Sequence, residues 1–281
     1  MVIVNTVNEV RAQVKKWKEE GLKVGFVPTM GYLHEGHESL IKKASEENDR
    51  VVVSIFVNPI QFGPKEDLAS YPRDLDRDSN VCQGAGANLI FHPENEEMYF
   101  DDFSTFVDMN GLTKELCGKS RPIHFRGVCT VVNKLFNIVA PHRAYFGEKD
   151  AQQLAVIKRM VRDLNIDIEI VGCPIIREED GLAKSSRNTY LSDEERKAAT
   201  ILNKSLTNAK ELMLSGERNA NNVIKLIQDT LDTEPLAKAD YIQVVDSLSI
   251  EPVENMERSV LVAIAVYIGK TRLIDNFTFE F

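Results

Sequence analysis

Val24-Gly25-Phe26-Val27-Pro28-Thr29-Met30-Gly31-Tyr32-Leu33-His34-Glu35-Gly36-His37 is the stretch on which the reading of this chain turns. A short apolar run, Val24 to Val27, leads into a glycine-bearing turn, and a helical pattern over Ser39 to Glu47 follows it. Strand, turn and helix in that order place backbone N–H groups and the positive end of a helix at the edge of an open α/β sheet, where anions bind. His34 and His37 sit in and just after the turn. Imidazole adds a donor that meets a phosphate while staying close to neutral at working pH. The same pair also fits a helix cap beside a structural histidine. A metal site is disfavoured, because no cysteine or third histidine is close in sequence and His92, His124 and His142 are dispersed.

Outward from this stretch the rhythm repeats. Toward the N-terminus, Asn5 or Thr6 caps a helix whose Val7, Val10, Val14 and Trp17 recur at helical spacing until Gly21. Toward the C-terminus, Arg50 to Val57 is nearly continuous in apolar residues, as a strand buried on both faces must be. A helix over Arg73 to Gln83 and a strand over Ala87 to Phe91 come next, then a strand near Phe103 to Val107. Gly127 opens an amphipathic helix closed by Pro141; Ala144 to Phe146 is a strand, Gln152 to Leu164 a helix and Ile166 to Val171 a strand. This alternation predicts a Rossmann-like, doubly wound parallel sheet over residues 1–175. Residues 176–281 change character: a capped start at Ser192, two helical stretches to about Leu231, then alternating runs at Tyr241 to Val245 and Val260 to Ile268. They predict a smaller C-terminal α+β domain with a small antiparallel sheet.

Composition narrows the function. The chain has 281 residues, 43% apolar and 27% charged, with a formal net charge of -9 and no long basic block. Nucleic acid and membrane surfaces are poor partners for such a balance. The start, Met1-Val2-Ile3-Val4-Asn5, does not read as a signal peptide, and runs such as Leu261 to Ile268 are too short to span a bilayer. The four cysteines are widely spaced, without a metal or disulfide framework, so a reduced, cytoplasmic protein is expected.

Three further groups carry candidate chemistry. Gly147-Glu148-Lys149-Asp150 lies at a second strand–helix junction, where Lys149 suits a phosphate, though a solvated charged turn has the same sequence. Asp180-Gly181-Leu182-Ala183-Lys184-Ser185-Ser186-Arg187-Asn188 sets small hydroxyls beside cations after a glycine hinge, as a phosphate cradle does and as a polar linker also does. Asn58 and Gln61 flank Pro59 at the carboxyl end of the buried strand, the ligand side of such a sheet, and Gln153 opens a helix. Arg121 adds a cation, and Asp78 is either a helix-surface acid or a carboxylate facing Mg2+. Together these describe a nucleotide-phosphate site without a Walker P-loop.

The residues resemble the pantothenate synthetase (pantoate–β-alanine ligase) family of the nucleotidyltransferase superfamily, which carries an HxGH-type motif. The matching stretches are Val27 to His37, Asn58 to Phe62, Tyr71 to Arg73, Gly127 to Pro141, Phe146 to Leu154 and Arg177 to Leu191, dense over the first 190 residues and looser beyond. The resemblance implies ATP-dependent condensation of (R)-pantoate with β-alanine through a pantoyl adenylate, releasing AMP and pyrophosphate. It implies ATP contacts from Met30 through His37, Gly147 through Asp150, Ile176, and Lys184, Ser185, Ser186 and Arg187. His34, His37, Lys149 and Arg187 are implied to be catalytic through stabilisation of phosphate charge. Gln61 and Gln153, with Asn58 and Arg121, are implied to hold the substrates, and Asp78 to lie near Mg2+. A homodimer through the N-terminal domain and a C-terminal lid are family expectations. Lys184 and Ile123 depart from the family pattern, which favours an apolar residue at the first and a small one at the second.

Two other readings compete. An adenylyltransferase that stops after AMP transfer shares the histidine motif, but Gln61 and Gln153 favour pantoate. A nucleotide-binding protein without catalysis is disfavoured by the presence of both histidines, Lys149 and Ser185-Ser186-Arg187.

Overall fold

The computed structural model describes residues 1–64 and 66–281. Its elements in chain order are β1 (Val2–Val4), α1 (Val7–Glu19), β2 (Val24–Thr29), α2 (Glu35–Glu47), β3 (Arg50–Ile55), α3 (Leu75–Gly84), β4 (Leu89–Phe91), α4 (Asn95–Met98), α5 (Leu116–Ser120), α6 (His124–Val139), β5 (Arg143–Gly147), α7 (Ala151–Asp163) and β6 (Glu169–Cys173). There follow α8 (Asp193–Ala198), α9 (Ile201–Leu214), α10 (Ala220–Leu231), β7 (Ala237–Asp246), β8 (Val260–Ile268) and β9 (Thr271–Phe279). The chain divides into two compact units. The first holds residues 1–109, 121–148 and 153–174; the second holds 110–120, 149–152 and 175–281.

The first unit contains a six-stranded sheet in the order β1-β4-β3-β2-β5-β6, parallel throughout. Along β3, Val51, Val53 and Ile55 face one side, where they pack with Leu40, Ile41 and Ala44 of α2 and Cys82 of α3. From β2, Phe26 turns to the other side and meets Phe136 of α6 edge to face at 6.4 Å. Covering both faces is what makes these strands continuously apolar rather than alternating. The order reverses around β2: β3 lies on one side of it and β5 on the other. That reversal puts the switch point, where ligands reach such sheets, at the carboxyl ends of β2 and β5.

Local signals explain the boundaries. Thr6 caps α1 in a reciprocal capping box with Glu9, and Gly21, at φ 76°, follows its end. Helix α2 starts at Glu35, ahead of the expected Ser39, because His34 caps it. Helix α6 likewise starts before Gly127, at His124. The strand expected over residues 103–107 is absent. The Val107 N–H goes to Thr130 Oγ1 at 3.0 Å instead of a neighbouring strand, and the Phe103 and Phe106 rings pack at 5.2 Å. Helix α2 lacks a Gly stop; Asn48 ends it in extended conformation.

In the second unit β7-β8-β9 form an antiparallel sheet. Val260, Val262, Ile264 and Val266 of β8 share a core with Leu202, Leu206 and Ala209 of α9 and Val223 and Ile227 of α10. The helical part comprises three helices where two stretches were expected, since α8 ends at Ala198 before α9 begins. Strand β9 completes the sheet. All four cysteines are unpaired: Cys82, Cys129 and Cys173 are buried and Cys117 is half-buried. Burial pushes the Cys82 and Cys129 thiols up to about 12. Among the described residues no helix is long and apolar enough to cross a membrane.

Candidate functional site

In the first unit the turn after β2 is built by a small set of contacts. Thr29 Oγ1 donates to the Ser54 carbonyl at 2.8 Å, tying the ends of β2 and β3, and accepts the Gly31 N–H at 3.2 Å. Gly31 (φ 82°) and Tyr32 (φ 51°) both lie in the left-handed region. A side chain rarely tolerates this, and the cost at Tyr32 must be offset. Asp78 provides the offset. It is 1% exposed, and its two oxygens accept the Tyr32 N–H at 2.8 Å and the Leu33 N–H at 2.6 Å. Burial pushes the Asp78 carboxyl above its ordinary value, opposed by those same N–H donors. Asp78 is thus a buried anchor for the turn rather than a helix-surface acid, whereas Asp76 is exposed.

Past the turn, His34 is the N-cap of α2. Its Nδ1 accepts the Gly36 N–H at 3.1 Å, while His37 Nδ1 accepts the His34 N–H at 3.3 Å. The rings lie 4.1 Å apart. This is a capping box with imidazoles in place of hydroxyl and carboxylate. A ring nitrogen that accepts carries no proton, so this hydrogen-bond pattern assigns the proton of each neutral ring to Nε2. Cap and phosphate ligand, competing readings in the sequence, are compatible roles of different atoms of one ring.

At the carboxyl end of β3, Pro59–Gln61 form a turn of 3-10 helix. Asn58 and Gln61 are 1% and 7% exposed. Asn58 Nδ2 donates to Gln61 Oε1 at 2.9 Å and to the Gly127 carbonyl at 3.2 Å, and Tyr99 Oη donates to Asn58 Oδ1 at 2.7 Å. Gln61 Nε2 points at Met30 Sδ, 3.1 Å away, which joins this turn to the one after β2. His124 is buried, with Nδ1 3.0 Å from the Gln61 carbonyl oxygen. Arg121 Nε donates to Glu66 at 2.8 Å, and a second guanidinium nitrogen holds the other carboxylate oxygen. Burial raises the Glu66 carboxyl, but the hydrogen bonds and charge of Arg121 outweigh it and leave the group below its ordinary value. Gly147 ends β5, Glu148 follows it, and Gln153 is half-buried in the first turn of α7.

The second unit carries the remaining candidates. Lys149 and Asp150 lie in one 3-10 turn with Nζ and carboxylate 3.9 Å apart, and the Lys149 carbonyl accepts Asn276 Nδ2 at 2.8 Å. Residues 176–184 fold as a hairpin: the Lys184 N–H reaches the Ile176 carbonyl at 2.9 Å, and the Glu178 N–H reaches that of Leu182 at 2.8 Å. Gly181, at φ 92°, is the tip of this hairpin. Arg177 fixes the hairpin through two hydrogen bonds, 2.7 and 2.9 Å, to Asp275, itself 1% exposed. Lys184 Nζ lies 3.1 Å from Glu178. Ser185 then caps the 3-10 turn Ser186–Tyr190 by accepting the Arg187 N–H at 3.3 Å. In the first unit, Ile123 is 48% exposed just ahead of α6.

Sequence reading passed over Tyr99, Glu66 and Asp275. Each acts on a partner at least 41 residues distant, so no local spacing marks it. Among the described residues no three His, Cys, Asp or Glu side chains converge as a metal cage.

Comparison with known proteins identifies the family. The family model described as Pantoate-beta-alanine ligase matches residues 2–278. A pantothenate synthetase of Enterococcus faecalis is 73% identical over 280 residues, covering 100% of this chain and 99% of the relative. One from Clostridium acetobutylicum is 68% identical, with 100% of both chains covered. The crystal structure of pantothenate synthetase from Thermus thermophilus superposes with a TM-score of 0.94 at 47% identity, covering 99% of each chain. Pantoate-beta-alanine ligase from Francisella tularensis, complexed with beta-gamma ATP and beta-alanine, gives 0.80 at 36% identity over 99% of this chain and 97% of that one.

Proposed function

The chain belongs to the pantoate-β-alanine ligase family, whose reaction is the ATP-dependent joining of pantoate and β-alanine to pantothenate through an adenylate, and we propose how its residues divide that work. A pantoate carboxylate oxygen attacks the α-phosphorus of ATP, the bond to the β-phosphate oxygen breaks, and pyrophosphate leaves. The β-alanine amine then attacks the acyl carbon, loses a proton, and AMP departs with the carboxylate oxygen. No protein side chain has to act as a covalent nucleophile, because the substrate carboxylate is one. The protein's contribution is alignment and stabilisation of charge.

His34 and His37 donate Nε2–H to the triphosphate, with the N-terminus of α2 behind them. The capping box is the observation that carries this role: it fixes both tautomers before nucleotide arrives, so no reorganisation is needed as charge moves onto pyrophosphate. The backbone from Met30 to Glu35 and at Gly36 lines the nucleotide. Lys149 and Arg187 supply cations to the phosphates, Ser185 and Ser186 supply hydroxyl donors, and Gly147, Glu148, Asp150 and Ile176 line the nucleotide by the family resemblance. Lys184 is paired with Glu178, which supports a role in holding its hairpin over one on phosphate.

Gln61 and Gln153 hold pantoate. The sulfur now opposite Gln61 Nε2 is a weak acceptor, and a substrate oxygen in its place is a stronger one. Arg121, held by Glu66 with its charge balanced by that carboxylate, borders the amine-substrate region. Magnesium enters as MgATP, held mainly by phosphate oxygens and water, as this ion prefers. Asp78 is 1% exposed and both its oxygens already accept backbone N–H groups, which supports a role as anchor of the turn over one at an ion, and no step is routed through an ion there. A cytoplasmic homodimer associating through the N-terminal unit is part of the proposal, on family resemblance.

The test is mass spectrometry of the purified protein with MgATP and (R)-pantoate, with and without β-alanine. Pantothenate and AMP in the complete mixture alone support the reading. Pyrophosphate without pantothenate in both mixtures points to another acceptor and overturns it.

A further inference from the structure

We propose that Tyr99 is a positioning residue for pantoate: its phenol fixes the Asn58 amide, and through it the Gln61 amide, so that Gln61 meets the substrate with its NH2 and not its oxygen. The inference rests on Gln61 holding pantoate, as set out above.

An amide side chain has two nearly isosteric orientations, and only its partners distinguish them. At Asn58 the partners agree. The Gly127 carbonyl can only accept, so it takes Nδ2, 3.2 Å away. Tyr99 Oη, 2.7 Å from Oδ1, donates on the opposite side. Asn58 is 1% exposed, so a lost partner is not replaced by bulk water. With Asn58 fixed, Nδ2 also faces Gln61 Oε1 at 2.9 Å, which leaves Gln61 Nε2 directed at Met30. The Gly127 carbonyl selects this orientation and the Tyr99 hydroxyl holds it from the opposite side, so together they set donor and acceptor polarity at Gln61.

Tyr99 is itself well held. Its N–H bonds the Asn95 carbonyl at 2.7 Å, its ring lies 4.9 Å from that of Phe103, and Lys134 Nζ stands 5.4 Å above it. Burial pushes the phenol well above its ordinary value, so it remains a donor across the working range. Tyr99 is thus rigid, protonated and aimed at one atom.

Tyr99→Phe keeps the ring and removes the donor. With the Gly127 carbonyl still orienting Asn58, loss of the buried hydrogen bond is expected to raise KM for pantoate about 3- to 10-fold, leave KM for ATP unchanged, and lower the thermal transition by only a few degrees. In an Asn58→Ala background the same change is expected to add nothing, because its effect passes through Asn58. Multiplication of the full Tyr99→Phe effect onto Asn58→Ala, or an unchanged KM for pantoate in the single variant, overturns the inference. Gln61→Ala measured alongside separates the two levels. If it leaves KM for pantoate unchanged, the Gln61 assignment falls and this inference with it. If it raises KM while Tyr99→Phe does not, the inference alone falls.

Discussion

Replacing Gly127 with alanine places a methyl group where the backbone of the Asn58–Gln61 turn already lies. A Cβ built there stands 2.5 Å from the Gln61 Cα, 2.5 Å from the Ile60 carbonyl oxygen and 2.6 Å from the Gln61 nitrogen. Ordinary contact begins at 3.4 Å, so helix α6 and the turn must separate by about 0.9 Å, and no flexible side chain is available to yield instead. Alanine gains about 1 kcal/mol of helix propensity over glycine, while overpacking costs about 1–3 kcal/mol, so the net loss of stability is roughly 0–2 kcal/mol. The effect on catalysis is larger, since the displaced backbone carries Gln61. A shift of about 1 Å in a substrate-positioning group is worth up to about 100-fold. The expected result is kcat/KM for pantoate down by about 10- to 100-fold with a modest fall in the thermal transition. Both are read from melting curves and from initial rates with pantoate varied at saturating ATP. Gly84→Ala is the control: nothing lies within 4 Å of its Cβ, and it is expected to leave activity unaltered. A Gly127→Ala protein with parental melting and parental kcat/KM would refute the reasoning, because the close approach would then have no bearing on the turn.

Asp78→Asn puts an amide NH2 against one of two backbone donors, so stability is expected to fall by about 1–3 kcal/mol, and adenylate formation with it, while half-saturation by Mg2+ stays put; a shifted Mg2+ requirement would return Asp78 to the metal. His37→Ala removes a capping contact and the phosphate donor proposed above, and release of pyrophosphate from ATP and pantoate is expected to drop by about 100-fold or more, measured in a coupled pyrophosphate assay. Glu66 has a depressed carboxyl in the folded chain, so its pairing with Arg121 stabilises fully above the ordinary glutamate range and is lost as pH falls below it. Glu66→Gln is therefore expected to be less stable at pH 7, with the gap in urea midpoint closing on acidification; a gap that widens toward low pH contradicts the pairing.

The parallel sheet was legible because β3 is apolar at every position from Val51 to Val53, and because hydrophobic spacing switches from strand to helix across residues 27–40. The histidine turn was legible as a place, but not in its construction. The Asp78 carboxylate that holds it is 46 residues from Tyr32, on a helix whose other acids are exposed. The segment around Phe103 looked like a strand because aromatic and β-branched residues are concentrated there. They serve ring packing and two hydrogen bonds between the Val107 backbone and Thr130 instead. Three-residue β1 was too short to carry a period. For the candidate site, residue types were readable from chemistry, whereas Tyr99, Glu66 and Asp275 act only through folded contacts. The resemblance to a family named the candidate residues; the geometry adds the contacts they make in the folded chain, such as that of His34 Nδ1 with the Gly36 N–H.

Everything the site does serves activation of the pantoate carboxylate on the α-phosphorus. The most direct test is one turnover with pantoate labelled with oxygen-18 in its carboxylate, followed by mass analysis of the nucleotide product. Attack at the α-phosphorus carries one labelled oxygen into AMP when β-alanine displaces it, and pantothenate retains the other. Label in AMP is the predicted result. Unlabelled AMP, or label in inorganic phosphate with ADP as the nucleotide product, would contradict the account.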